Sequence, residues 1–428
     1  MAENGSRPSI DFDHHTAEYR EGWMELYADL RQRCPIGYSE RYGGFWLPTT
    51  YEDVCRVAKD DATFASDFDP DGVRNGYQGT NIPRMSNHRV FPMEADPPEY
   101  LIYRRLLNPF FAPNVADDLE PFVVELTNAF LDRVIERGAM DFVLDFANPV
   151  PAITLMRFLG LPIDDWEPYA TPMHEIVYGE PGSEVQLRAQ QGFGWVAQQM
   201  HQAVIDRRAD PGDDLISRLA TTEVEGELMT PELISEMLIL IIGGGTDTAT
   251  NLFANSILWL EDKPDVRQKL AGDPAYLTRA CEEFLRYFTP LQTNARTVTT
   301  DTELGGQTLA PRDRLLVSWA AANHDPAEFA NADSMVLDRF PNRHVAFGVG
   351  IHRCLGSHIA RMEIKVMLRE VCRRLTEYRI DREAAQQYPT VGFINGWVNL
   401  PVTFTPGPRV GTSLPFAVED PIAVEDNG

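Results

Sequence analysis

The sequence predicts a mainly helical fold with a minor β part, built as one large domain. Long segments with apolar residues at helical spacing recur from end to end. Stretches rich in β-branched residues and paired glycines are few, and split between the early and late parts of the chain. No Gly/Ser-rich or Pro-rich linker and no fixed-period repeat divides the chain. The two or three domains that 428 residues suggest, at ~150 residues each, therefore reduce to one.

Residues 1–14 and 409–428 are polar, acidic or rich in Pro and Gly, and read as flexible tails around a domain spanning 15–408. Thr16–Arg33 opens on a capping Thr and continues with helical spacing. Gly43–Leu47 carries a hairpin signal. Pro97–Phe111, Ala116–Arg137, Val150–Leu159 and Val185–Arg208 read as helices, the first with Pro in its opening turn. Thr230–Leu260 is the longest helical candidate, and Leu277–Tyr287 follows it. Arg296–Val317, with Gly305, Gly306 and Pro311, predicts short paired strands. A last helix runs from just after Cys354 to about Leu375, and strand-like pieces return over Val391–Phe404.

Lys and Arg total 38 and Asp and Glu 64, a net charge of −26, which argues against nucleic acid as the partner. Hydrophobic residues make up 43% and aromatics 10%, enough to build a core and too much for a disordered acidic chain. The five cysteines show no metal-finger spacing, as expected of a reducing cytoplasm. The longest apolar run, around Met237–Ile242, is short for a bilayer, so no membrane association is expected.

Phe347–Gly356 reads Phe-Gly-Val-Gly-Ile-His-Arg-Cys-Leu-Gly. Its glycines allow tight turns and close approach by something large and flat. A helix start directly after Cys354 would favour the thiolate, through the macrodipole and the free N–H groups. Gly and Cys alone would equally suit a buried structural Cys. The full pattern resembles the cysteine-ligand loop of the cytochrome P-450 family, Phe-x-x-Gly-x-basic-x-Cys-x-Gly, with Phe347, Gly350, His352, Cys354 and Gly356 in place. Ala360, Arg361 and Glu363 continue the likeness, which spans roughly residues 42 to 404 and is nearest to soluble bacterial members of the camphor-hydroxylase type.

The resemblance implies haem b between the long central helix and the helix of the Cys loop. Cys354 would be its axial iron ligand, Phe347 would shield the sulfur, and Gly348, Gly356 and Ala360 would complete the loop. His352, Arg296 and Arg104 would meet the propionates. Tyr100 stands where the family often has His. Glu283 and Arg286, at i, i+3 on one helix face, would join Arg339 in a buried structural triad.

Gly243-Gly244-Gly245-Thr246-Asp247-Thr248 lies in the longest apolar helix, where each Gly costs about 1 kcal/mol relative to Ala. Such a run implies a close approach or a kink. By the family likeness, Gly244 passes over the haem, Thr248 offers a hydroxyl beside O2 and Asp247 relays protons from solvent, an acid–alcohol pair for general acid catalysis. That pair favours an O2-reducing monooxygenase over a peroxide-driven relative or a non-catalytic haem sensor. Leu240, Gly244 and Thr248 on the helix, Leu291 and Thr293 on a strand, and Phe393 and Ile394 in a turn would line an apolar substrate pocket. Asp69–Arg89 and Trp166–Gly194 would cover it.

No flavin, dinucleotide or iron–sulfur fingerprint appears in the sequence. The likeness therefore implies a monomer drawing NAD(P)H electrons indirectly, from a small ferredoxin and its reductase. Arg361, Lys365, Arg369 and Arg373, at i, i+4, form a candidate docking stripe, with Arg104 and Arg105 nearby.

Overall fold

A computed structural model describes residues 7–412, apart from Pro70 and Pro181. The outer parts of both expected tails, residues 1–6 and 413–428, lie outside the described residues. The expected helices form as Ala17–Arg33, Glu99–Leu107, Pro113–Val134, Pro149–Leu159, Glu184–Ala209, Pro231–Leu260, Pro274–Phe288 and Ser357–Arg374. Local chemistry sets their starts. Thr16, Ser183 and Thr230 each accept a hydrogen bond from a backbone N–H in the first turn, and Asp273 accepts two. Pro at the first position of the helices from Pro231 and Pro274 removes a donor that would have no partner there.

The central helix Pro231–Leu260 is unbroken through its glycines. It packs against Glu184–Ala209, Pro149–Leu159, Pro274–Phe288 and Ser357–Arg374, and the largest apolar core forms at these contacts. A smaller core sits on a five-stranded sheet. Its order is Ile36–Ser39, Phe45–Pro48, Arg314–Ser318, Thr293–Val298, Phe64–Ala65. Arg314–Ser318 pairs antiparallel with Thr293–Val298, which brings the late strands beside the early hairpin. A second sheet joins Tyr378–Ile380, Pro401–Phe404 and Ala139–Asp141.

Several expectations shift. The N-terminal tail does not extend to residue 14. Ile10, Phe12 and His14 are buried, the Ile10 N–H donates to the Tyr38 carbonyl at 2.9 Å, and Ser39 Oγ donates to the Phe12 carbonyl at 2.8 Å. At the other end, the N–H groups of Val410 and Gly411 donate to the Asp132 carboxylate, so the chain stays tethered past residue 408. Helices form at Tyr51–Lys59, Leu215–Ala220 and Pro264–Gly272, where the sequence reading placed none. Glu167–Tyr178, within the expected cover, is a helix despite its internal Pro172. Two helical segments, Phe142–Leu159 and Pro231–Leu260, are long and apolar enough to cross a membrane by composition. They are 78% and 61% buried inside the fold, as core helices are.

Candidate functional site

The Cys354 loop is shaped by its own backbone. The Cys354 N–H donates to the Phe347 carbonyl at 2.8 Å and closes the loop. Gly350 has φ +79°, and a Cβ there would stand 2.3 Å from the Ala58 carbonyl oxygen, so no other residue fits. Gly356 has an ordinary φ of −77°, and its N–H donates to the Cys354 sulfur. The Ala360 N–H bonds the Gly356 carbonyl at 2.9 Å as the first link of the helix Ser357–Arg374. The expected lowering of the thiol pKa is not what results. Burial pushes it up and outweighs the Gly356 N–H and the charges of Arg104, Arg353 and Arg361. As a whole residue Cys354 is nevertheless exposed. The Arg361 guanidinium lies 4.5 Å from the Phe347 ring centroid.

Cationic groups gather beside the loop. Arg296 is 5% exposed, and its one hydrogen bond among the described residues runs from Nη1 to the adjacent Ala295 carbonyl at 2.8 Å. Burial holds its pKa down at about 10. The buried His352 Nε2 has no partner among the described residues, and burial, then Arg296 and Arg104, push that imidazole well below its usual value. Tyr100 does not point a free hydroxyl at this space. It donates to the Ile351 carbonyl at 3.0 Å and accepts from Arg104, whose Nη1 also donates to the Arg353 carbonyl at 2.8 Å. The Tyr100 ring lies 4.1 Å from that of His352, bracing the loop.

The central helix divides its glycines between two tasks. A Cβ on Gly244 would meet nothing within 4 Å, and Gly244 is exposed in mid-helix. A Cβ on Gly245 would come within 2.7 Å of Leu155 Cδ1, so this glycine serves helix packing. Thr248 Oγ1 donates back to the Gly244 carbonyl at 2.9 Å. Asp247 is not turned to solvent, as a direct relay would require. It is 2% exposed, and its carboxylate meets His174 Nδ1 at 2.8 Å, the Tyr388 hydroxyl at 2.8 Å and Asn251 Nδ2 at 3.0 Å. Sequence reasoning missed His174 and Tyr388, which lie 73 and 141 residues from Asp247 and carry no motif.

The expected pocket segments do meet. Leu291 and Ile394 form an antiparallel bridge, and the Gln292 N–H donates to the Phe393 carbonyl at 2.8 Å. Thr293 Oγ1 is committed to the Gly392 carbonyl at 2.7 Å, and Ile394 is 3% exposed, so both brace the turn. Leu240 and Phe393 are half-buried and belong to none of the apolar cores.

The basic stripe is largely neutralised. Arg361 forks onto Glu282, Arg369 pairs with Glu120 and Glu370, and Arg373 pairs with Glu370. Arg105 and Arg353 are exposed with no acidic partner among the described residues. The structural triad forms as expected. Glu283 meets Arg286 at 2.8 Å and Arg339 at 3.0 Å, with Glu283 and Arg286 fully buried.

An exposed cysteine at a helix start, on a helix packed against a long apolar helix with an exposed glycine at its middle, defines the haem-thiolate class. Comparison with known proteins agrees. A family model described as Cytochrome P450 matches residues 195–384. A steroid C26-monooxygenase of Mycolicibacterium smegmatis is 30% identical over 414 residues, covering 96% of this chain and 100% of that protein. Cytochrome P450-terp of a Pseudomonas species is 29% identical over 399 residues, 88% of this chain and 92% of that one. The solved structure of CYP109E1 from Bacillus megaterium in complex with corticosterone superposes with a TM-score of 0.77 at 27% identity, covering 91% of this chain and 100% of that one. The chain belongs to the cytochrome P450 family and is a monooxygenase of that family. The family's cofactor is haem b, its co-substrate is O2, and NAD(P)H supplies electrons indirectly.

The residues present fit a haem. Its iron calls for a sulfur donor such as Cys354, and its propionates for buried cations and N–H donors short of acceptors. Arg296 is such a cation, and the neutral His352 can donate from Nε2, which has no partner among the described residues.

Proposed function

We propose that this enzyme hydroxylates or epoxidises a small-to-medium apolar substrate of the steroid, terpenoid or fatty-acid kind, with electrons from a ferredoxin and its NAD(P)H-dependent reductase. The observation that carries the reading is Gly244, the one exposed residue of the central helix between Met237 and Leu260. Leu240, Gly244 and Thr248 share one helix face, so a half-buried apolar side chain lies one turn before it and a hydroxyl one turn after. The half-buried Phe393 belongs to the turn beyond, and such a lining favours a carbon-rich ligand. A relative named for steroid oxidation and a structural neighbour holding corticosterone favour a steroid-like shape.

In this reading Cys354 ligates the iron and Arg296, Arg104 and His352 hold the propionates. When bound, the haem supplies the redox centre at which O2 is activated. Thr248, held to the Gly244 carbonyl, places its oxygen where it can accept a proton-bearing water. Arg105 and Arg353 replace the neutralised stripe as the cationic contact for an acidic ferredoxin. The chain acts in the cytoplasm as a monomer.

Ferric holoenzyme titrated with steroids, terpenoids and fatty acids should show a low-to-high-spin shift with at least one class. That ligand should then yield an oxygenated product with NADPH, reductase and ferredoxin. Turnover by hydrogen peroxide alone, with none through the ferredoxin, would overturn the electron supply.

A further inference from the structure

The proton count around Asp247 carries an inference of its own. His174 Nε2 lies 3.1 Å from the Val398 carbonyl, which can only accept, so Nε2 carries a hydrogen. The opposite nitrogen, Nδ1, faces Asp247 Oδ1 at 2.8 Å. The Tyr388 hydroxyl lies 2.8 Å from Asp247 Oδ1 and 3.0 Å from His174 Nδ1, and its oxygen accepts from Asn251 Nδ2 at 3.0 Å. Whichever of the two its hydrogen serves, the 2.8 Å approach of Nδ1 to Oδ1 sets two lone pairs against each other unless one further proton lies between them. The cluster holds either imidazolium and carboxylate or imidazole and carboxylic acid, with the same number of protons.

We propose that His174 is a positioning residue for oxygen activation: its imidazole holds the proton that Asp247 passes towards Thr248, so the proton donor is the His174–Asp247 pair and not Asp247 alone. The inference rests on the monooxygenase reading above. The transfer is a proton movement without redox change. The Nδ1–H bond breaks, an O–H bond forms on Asp247 Oδ1, and the neutral imidazole keeps its Nε2–H on Val398. Asp247 Oδ1 then gives that proton up towards Thr248 and is a carboxylate again, and a hydronium ion from solvent reprotonates Nδ1 and leaves as water.

The surroundings suit a proton store. Burial lowers the affinity of His174 for the proton, but the Asp247 bond and charge, the Val398 carbonyl and the charge of Asp141 outweigh it and raise the pKa. Asp247 comes from the central helix, Asp141 from the strand Ala139–Asp141, and Tyr388 from the segment after Gln386–Gln387. On its own helix Tyr178 lies 5.2 Å away, and Glu175 is held by Arg188 of the helix Glu184–Ala209. Among the described residues no Lys or Arg bonds to the pair, so the charge opposite Asp247 is a titratable one.

The test compares H174Q and Y388F holoenzymes. Gln can still donate to Asp247 but cannot carry the proton, whereas Phe removes a structural member and leaves the Nδ1–Oδ1 pair. Product formed per NADPH should fall about tenfold or more in H174Q, within the range for a lost general acid. Its pH dependence should flatten, while Y388F should keep the wild-type pH profile. In the diamagnetic carbonmonoxy form, a downfield Nδ1–H proton resonance should be present in wild type and Y388F and absent from H174Q. An unchanged pH profile in H174Q, or the same flattening in Y388F, would overturn the inference, the second by showing a purely structural network. If wild type itself forms no oxygenated product, the failure belongs to the monooxygenase reading, and the proton resonance still decides whether the pair shares its proton.

Discussion

The Cys354 loop and the Asp247 cluster are assembled in opposite ways. The loop is contiguous. Phe347–Gly356 makes its own turn, closes it with a hydrogen bond from Cys354 to Phe347, and launches a helix. The cluster has no local existence, because His174, Asp247, Tyr388 and Val398 come from separate elements that meet only in the finished fold. A contiguous site is set by backbone rules and breaks locally. A convergent one is set by packing and responds to whatever moves its elements.

The sharpest break is Cys354→Ser. It should abolish the thiolate-type Soret band of the carbonmonoxy complex and all oxygenation, while the His174 proton resonance of the apo-competent fold persists. Next is Glu283→Ala, which leaves Arg286 buried without its partner. It should cost about 3–5 kcal/mol in urea unfolding and lower haem incorporation, since the helix bearing Glu283 packs on the Cys-loop helix. Gly350→Ala forces a side chain into positive φ and against the Ala58 carbonyl, at a cost of about 1–3 kcal/mol, read as a lower melting temperature.

The cluster gives a pH signature instead. The folded pKa of His174 is raised above 6.5, so its stabilisation is complete below that value and is lost as pH rises through the folded pKa. The melting-temperature gap between wild type and H174Q should therefore be widest at acid pH and narrow as the solution is made alkaline. The smallest effect is expected at Arg373→Ala. Arg373 is the exposed end of an ion-pair network whose buried acid, Glu370, keeps Arg369, so stability should change by about 1 kcal/mol or less and ferredoxin-driven turnover hardly at all. A larger effect would restore the neutralised stripe as the docking face, in place of Arg105 and Arg353.

The same contrast explains what the sequence discloses. Cys354, Gly350 and the Glu283–Arg286 pair are legible because spacing along the chain is spacing in the site. Arg339 and Arg296 are legible only through family likeness, since each reaches the site from a distant segment. Capping residues announced the long helices, but Glu167–Tyr178 was hidden by Pro172 and by its mixture of polar and apolar residues. With that helix went His174. Its one trace in the sequence is a histidine beside Met173 on what proves to be a buried face. The thiol pKa of Cys354 also escaped, because a helix start is visible in sequence whereas the burial opposing it is not.

The seating of His14 against the substrate turn bears on how the enzyme folds. Thr390 Oγ1 donates to the His14 carbonyl at 3.2 Å, and a Cβ on Gly392 would stand 2.2 Å from that same oxygen. Residues 376 positions apart thus share one contact beside the substrate turn. Contacts of such sequence separation are slow to form, because a long loop must close before they repay it. The aromatic cluster of Phe12 with Tyr19, Tyr27 and Phe45 is local by comparison, so on refolding it can gather before the turn is seated against His14.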